Sequence, residues 1–351
     1  GRRSGCEMAQ VSEKKYSVAV VGATGLVGES MISTLDQRRF PLAELYPLAS
    51  ERSAGSKVRC QGREFVVGDL DEFDFKGVDL ALFSAGGSVS DHHAPRAAAA
   101  GCVVVDNTSR FRMDDDIPLV VPEVNPEALE QYRTRGIIAN PNCSTIQMVV
   151  ALAPLQREVG IERINVATYQ AVSGAGRALV EDLAGQTARL LNGQPIEEMT
   201  TPKQIAFNVL PQIDVFEENG YTREEMKMVN ETRKIFGDPD ILVNPTAVRV
   251  PVFFGHAEAV HVETRSPISA ERVLELLADA PGIEVLDERI PGGDPTPVTD
   301  AANEDAVFVG RVREDLSHPR GINLWIVADN VRKGAALNSV QIAELLVKNH
   351  L

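Results

Sequence analysis

The sequence predicts an α/β fold in two domains, and three observations carry that prediction. Its 351 residues exceed what one core usually organises, since domains run to about 100–200 residues. Short apolar, largely β-branched runs at 18–21, 78–83, 103–105 and 136–139 alternate with helical stretches, the pattern of a parallel sheet with crossover helices. After Cys143 the strands lengthen, at 164–172, 247–254, 259–265, 307–313 and 322–328, and suit antiparallel pairing. The expected plan is a parallel-sheet domain over 16–143, an α+β domain with a mainly antiparallel sheet over 144–330, and a C-terminal helix over 331–351 that packs back on the first domain. Residues 1–15, polar and without period, are expected to be a disordered or vector-derived extension.

In chain order, the first strand runs into Gly22-Ala-Thr-Gly-Leu-Val-Gly28, where a helix opens. Gly22, Gly25 and Gly28 there permit a tight turn and let a pyrophosphate reach backbone N–H groups, as in a Rossmann-type dinucleotide-binding domain. The spacing is G-x-x-G-x-x-G, so the strand and helix around it carry the reading more than the glycines alone. The second strand ends in Leu45-Tyr-Pro-Leu-Ala-Ser, followed by Glu51, Arg52 and Ser53, where such a domain selects its cofactor. Arg52 and Ser53 suit the 2′-phosphate of NADP, whereas Glu51 suits a 2′-hydroxyl. Ser84-Ala-Gly-Gly87 closes the next strand at the edge where a dinucleotide lies, and its small residues allow backbone contact. Further on, amphipathic helices at 177–191 and 222–236 suit covering the second sheet or a partner subunit. Pro291-Gly-Gly-Asp-Pro-Thr-Pro297 is a surface loop, and the last helix, 335–349, aligns Ala336, Val340, Leu345 and Leu346 for packing.

Composition excludes several classes of partner. A net charge of −15 with no basic run beyond the first residues argues against nucleic acid, and no apolar run is long enough to span a membrane. Anionic ligands must then be met by individually placed arginines. Cys6, Cys60, Cys102 and Cys143 are widely spaced, with no metal-binding pattern, disulfide framework or secretory leader, so the cytoplasm is the expected compartment.

One of these thiols sits where it can react. In Asn140-Pro-Asn-Cys-Ser-Thr145 a strand breaks at Pro141 and an apolar helix begins, so Cys143 lies at a strand-to-helix turn whose free N–H groups and helix dipole favour the thiolate. The dipole contributes about 0.3–1 kcal/mol, less than the ~1.4 kcal/mol of one pKa unit, so a base or cation must assist. Among six histidines the best base is His256, after Gly255 at a strand end, where it is expected to be exposed at a rim. Arg249 can hold a carboxylate by a bidentate pair. A structural role is open to each of these residues, and is the preferred reading for Cys60 and Cys102.

Several segments in order, Gly22 to Gly28, Asp106-Asn-Thr-Ser-Arg-Phe-Arg-Met113, Val120-Val-Pro-Glu-Val-Asn125, Asn140 to Thr145, Gln170-Ala-Val-Ser-Gly-Ala-Gly176, Arg249 to His256 and Asp329-Asn-Val-Arg-Lys-Gly-Ala-Ala336, resemble the aspartate-β-semialdehyde dehydrogenase family from about Ser17 to Leu351. The resemblance implies a glyceraldehyde-3-phosphate-dehydrogenase-like architecture with a catalytic/dimerisation domain. It implies NADPH-dependent conversion of aspartyl phosphate to aspartate semialdehyde through a Cys143 thioester, with release of phosphate. That reaction feeds lysine/diaminopimelate, threonine, methionine and isoleucine synthesis. By position, Cys143 matches the nucleophile and His256 the acid–base residue, with Asn142 and its neighbours' N–H groups at the oxyanion. Gln170 and Arg249 match residues orienting the substrate amine and carboxylate. Arg112 and Lys227 match the phosphate site, and Glu224 matches a substrate-recognition partner. Thr24, Gly25, Leu26, Val27, Arg52, Ser53, Ser173, Gly174 and Asn330 match cofactor contacts, with Gly22 and Ser84 beside them. Relatives of this kind form homodimers or tetramers. The nearest rival, N-acetyl-γ-glutamyl-phosphate reductase, places its cysteine in N-P-G-C-Y rather than Asn142-Cys143-Ser144. A non-catalytic NADP-binding redox sensor would not need Cys143, His256, Arg112 and Arg249 together.

Overall fold

In the computed structural model the described residues are 13–351; positions 1–12 of the expected extension lie outside them, and 13–15 carry no regular structure. The first domain opens with β1 (Tyr16–Val21), α1 (Leu26–Gln37) and β2 (Leu42–Ala49); β3 (Lys57–Cys60) and β4 (Arg63–Val66) form a small separate hairpin. β5 (Gly68–Asp69), β6 (Leu80–Phe83), α2 (Gly87–Ala99), β7 (Val103–Asp106), α3 (Tyr132–Arg135) and β8 (Ile137–Ala139) complete it. The main sheet is parallel throughout, in the order β5-β2-β1-β6-β7-β8.

Its strands are apolar along their whole length because both faces are covered. Val18, Val20, Leu80 and Leu82 join one core, and Ala19, Val21, Ala81 and Phe83 join the other, as period-two side chains must. The first of these cores also contains Val340, Ile342, Ala343 and Leu346 from the C-terminal helix. The second continues into α4 (Cys143–Glu158), buried on every side from Ser144 to Leu155. A helix apolar all round is one packed between layers.

β9 (Ile161–Gln170) starts the second sheet, followed by α5 (Arg177–Leu191), α6 (Arg223–Phe236), β10 (Leu242–Arg249) and β11 (His256–Thr264). α7 (Ala270–Ala278), β12 (Ile283–Val285), β13 (Val307–Glu314), β14 (Gly321–Ala328) and α8 (Leu337–Asn349) finish the chain. Strand order is β10-β9-β11-β14-β13-β12. The three inner pairings are antiparallel, but both edge strands pair in parallel, β10 with β9 and β12 with β13. The sequence suggested antiparallel partners for the strand at 247–254. Instead, the long crossover through α5 and α6 brings β10 back in the direction of β9. That strand also ends early, at Arg249, since Pro251 lacks an N–H and the backbone turns there.

The consequence for the site is positional. Arg249 pairs with Gln170 in register and His256 with Ala328, so the ends of β9, β10 and β14 and the start of β11 share one edge of the second sheet. α4 lies against that sheet and against α6. Among the described residues no helix is long and apolar enough to cross a membrane, and no cluster of side chains offers a metal site.

Candidate active site

Asn142, extended at ψ 142°, ends the run from β8 and caps α4, its side-chain oxygen accepting the Ser144 N–H at 3.0 Å. Cys143 is the first helical residue and lines a cavity between the domains. Its Sγ lies 3.3 Å from His256 Nε2. His256 is completely buried, not exposed at a rim: the turn at Val172–Ala175 covers it, and a side chain at Gly174 would come within 3.2 Å of its ring. Gly255, at φ 100°, turns the chain into β11, and its N–H donates to Asn330 Oδ1 at 2.9 Å.

The backbone of a single residue sets up both the histidine and the neighbouring arginine. The Ala171 N–H donates to His256 Nδ1 at 2.9 Å, while the Ala171 carbonyl accepts from Arg249 Nη1 at 2.8 Å. With Nδ1 accepting, the ring proton sits on Nε2 and points at sulfur. Burial, reinforced by the Arg249 charge, holds the histidine well below its ordinary pKa. Burial also pushes the Cys143 thiol up to about 12; Glu224 adds to this, while Arg249, Arg112 and the Ser144 N–H oppose it. Both shifts favour the thiol and the neutral imidazole over the ion pair. The expectation that the turn favours a thiolate fails here because desolvation outweighs the helix-start contribution of about 0.3–1 kcal/mol.

Around the sulfur stand the other candidates. Arg112, buried, donates from Nε to the Asn140 carbonyl at 2.9 Å, from Nη2 to the Asn107 carbonyl at 3.0 Å and from Nη1 to Glu231 at 3.4 Å, and it lines the cavity. Glu224 and Lys227 project from the first turns of α6; Lys227 Nζ lies 3.6 Å from Glu224 and 3.6 Å from Asp214. Thr222 caps that helix in a reciprocal box with Glu225, so its start is rigid. Glu224 is buried and accepts from Asn142 Nδ2 at 2.8 Å and from Gln170 Nε2 at 3.5 Å. It is no solvated helix-start residue but a buried side chain lining the cavity. Asn142 consequently departs from its oxyanion assignment: its N–H donates to Glu231 at 2.7 Å, and its side chain is engaged by Ser144 and Glu224.

The same cavity is lined by Val27, Ser84, Ser173, Gly174 and Asn330 from the cofactor set. Ser173 and Asn330 also hold each other, Nδ2 to Oγ at 3.0 Å. Gly22, Thr24, Gly25 and Leu26 lie in the turn before and at the start of α1, while Arg52 and Ser53 lie in the short turn after β2; none of these six lines the cavity. A dinucleotide fits this region on two counts. A side chain at Gly22 (φ 87°) would collide with the Ser84 carbonyl, and one at Gly28 with the Gly22 carbonyl, so the turn is closed to anything larger than glycine. No side chain caps α1, which leaves its first N–H groups for a ligand.

Sequence reasoning missed Ala171, Glu231, Lys234 and Gly334. Glu231 and Lys234 continue the stripe of Glu224 and Lys227 at helical spacing, a signal present in the sequence. Ala171 acts only through its backbone, and Gly334 only by lacking a side chain beside Cys143; neither leaves a pattern in the sequence.

The NAD binding domain of semialdehyde dehydrogenases matches residues 17–132, and the semialdehyde dehydrogenase dimerisation domain matches 152–333. The chain is 63% identical over 338 residues to aspartate-semialdehyde dehydrogenase 2 of Vibrio cholerae, covering 96% of this chain and 99% of that one. It is similar to the crystal structure of aspartate semialdehyde dehydrogenase II from Vibrio cholerae complexed with ASA, at TM-score 0.95 and 62% identity, over 97% of this chain and 100% of that one. It also resembles aspartate semialdehyde dehydrogenase with NADP from Candida albicans, at TM-score 0.74 and 27% identity, over 95% and 98% of the two chains.

Proposed function

The chain belongs to the semialdehyde dehydrogenase family, and on that premise we propose that it is an aspartate-semialdehyde dehydrogenase. It converts L-aspartyl-4-phosphate to L-aspartate 4-semialdehyde, and so serves synthesis of lysine and diaminopimelate, threonine, methionine and isoleucine. The carrying observation is the Cys143 sulfur 3.3 Å from His256 Nε2, with Arg112 and Lys227 in the same cavity as Glu224 and Arg249.

Cys143 attacks the acyl carbon, Arg112 and Lys227 steady the phosphate, and the thiol's proton leaves with it as hydrogen phosphate. A thioester on Cys143 remains, more electrophilic than the ester a serine would form. Because the Asn142 N–H is spent on Glu231, the Cys143 N–H and His256 Nε2–H are the donors for the developing oxyanion, each worth about 3 kcal/mol. When bound, the dinucleotide supplies the hydride that turns the thioester into the aldehyde. His256 Nε2–H then hydrogen-bonds the departing sulfur, which leaves as thiolate and takes up a proton from solvent to restore the thiol. Full acid–base exchange at this ring would require Nδ1 to release the Ala171 N–H, so hydrogen-bond donation is its first role. Arg249 takes the substrate carboxylate and Glu224, beside Gln170, its free ammonium. An N-acetylated substrate carries no positive charge there and forgoes the ion pair that a free ammonium makes with Glu224, which disfavours the glutamyl-phosphate reductase reading.

NADP is the assigned cofactor, Arg52 and Ser53 meeting the 2′-phosphate and the turn from Gly22 with Thr24, Gly25, Leu26 and Val27 holding the pyrophosphate. The assembly is assigned as a homodimer, with a tetramer as its extension, through the outer face of the second sheet where Tyr169 stands 40% exposed. The cytoplasm, where the free Cys60, Cys102 and Cys143 stay reduced, is the assigned compartment. Mixing the purified protein with L-aspartate semialdehyde, phosphate and NADP⁺ and following reduced nicotinamide tests the assignment. Absence of a phosphate-dependent signal would refute it.

A further inference from the structure

Helix α6 carries alternating charges on one face, Glu224, Lys227, Glu231 and Lys234, and all four are engaged around the cavity and the loop bearing Arg112. Lys234 binds the backbone of that loop, donating to the carbonyls of Arg112 and Asp114 at 2.8 Å and of Ile117 at 2.7 Å. Glu231, 1% exposed, is the innermost of the four. One of its oxygens accepts the Asn142 N–H at 2.7 Å, and the other lies 3.4 Å from Arg112 Nη1. Burial pushes the pKa of this carboxyl up, and Arg112, the Asn142 N–H and Lys227 oppose that shift; donors facing both oxygens favour the ionised form. Arg112 does not depend on Glu231 for its orientation, because the Asn140 and Asn107 carbonyls already fix two other guanidinium nitrogens.

We propose that Glu231 is a positioning residue with two functions: it anchors the turn before the nucleophile through the Asn142 N–H, and its charge moderates the hold of Arg112 on phosphate so that the product can leave. The inference rests on the reading of Arg112 as the phosphate group's partner. An unopposed buried arginine beside a phosphate dianion in a site of low dielectric would bind it too tightly to release it. Sharing the arginine with an internal carboxylate weakens that grip without moving the guanidinium.

Glu231→Gln separates the two functions, since its side-chain oxygen still accepts the Asn142 N–H while the charge is lost. In the aldehyde-oxidising direction its KM for inorganic phosphate is expected to fall by about five-fold or more, with KM for the aldehyde nearly unchanged. In the phosphate-releasing direction product inhibition by phosphate strengthens and kcat falls. Glu231→Asp, which keeps the charge, retains a phosphate KM near that of wild type. An unchanged or raised phosphate KM in the glutamine variant, or an equal fall in the aspartate variant, overturns the proposal and leaves Glu231 a structural residue. Wild type is assayed alongside: no phosphate-dependent turnover there sinks the functional reading itself, a different outcome from any change confined to the variants.

Discussion

Gly334 lies against Cys143, the proposed nucleophile, and adding one methyl group there puts a measurable load on the geometry of the site. A Cβ built at Gly334 stands 2.9 Å from Cys143 Cβ and 3.4 Å from its Cα. Carbon atoms rest at about 3.5–4.0 Å, so roughly 0.6–1 Å must be found. Neither side yields easily. Cys143 heads a helix buried from Ser144 to Leu155, and Lys333, next to the glycine, is itself buried with its ammonium bound to Glu123 at 2.7 Å, Asn338 at 2.8 Å and Gln341 at 2.6 Å. The softest coordinate is the position of the Cys143 side chain, and moving it disturbs the 3.3 Å approach of Sγ to His256. Misplacement of a reacting group by about 1 Å costs on the order of 100-fold in rate, and overpacking costs about 1–3 kcal/mol in stability. Gly334→Ala should therefore lower kcat by about 10–100-fold and lower Tm by several degrees. KM for phosphate should stay within about twofold, because Arg112 and Lys227 are not among the atoms a methyl group there would meet. Steady-state kinetics with phosphate varied, beside a thermal melt, reads all three quantities. A variant with near-wild-type kcat and an unchanged melting temperature would show that the Cys143 position tolerates such displacement, and the reasoning fails.

Replacing Cys143 by Ser should reduce turnover by roughly 10³-fold or more while leaving dinucleotide binding, followed by fluorescence, largely intact; substantial residual turnover would mean another nucleophile. Arg52→Ala should raise KM for NADP⁺ by about 10-fold and change KM for NAD⁺ little, since only NADP⁺ carries the 2′-phosphate; equal effects on both cofactors remove Arg52 from the site. Glu258 is fully buried on β11, neither carboxyl oxygen has a hydrogen-bond partner within the protein, and burial holds its pKa well above the ordinary carboxylate range. A neutral Glu258 contributes stability that is fully present below the unfolded pKa of about 4.3 and is lost as pH rises toward the folded value. Glu258→Gln cannot titrate, so its melting temperature should fall less between pH 5 and pH 8 than that of wild type. Parallel curves would mean that Glu258 is already ionised in the fold.

Local signals in the chain reached far into the site. The glycine turn at 22–28 was legible because a strand, a tight turn and a helix start leave period and composition marks within one short stretch. Cys143 stood out for the same reason, as a thiol where an extended run breaks into an apolar helix. Long-range facts left weaker traces. The parallel pairing of β10 depends on where the chain goes between 170 and 242, which the strand's own residues do not encode. Burial of His256 depends on a turn more than 80 residues earlier, so a strand-end histidine after a glycine read as exposed.

The sequence by itself determined the family and the two-domain plan and singled out Cys143 as the candidate nucleophile, since those signals reside in contiguous residues and their order. Tertiary structure alone decided the protonation state of the site. Whether Cys143 rests as thiol or thiolate, and which nitrogen of His256 carries the proton, is set by desolvation, by Glu224 and Arg249, and by the Ala171 N–H. These groups come together only when β9, β10, β11 and α6 meet at one edge, because electrostatic energies depend on distance in space and on exclusion of water.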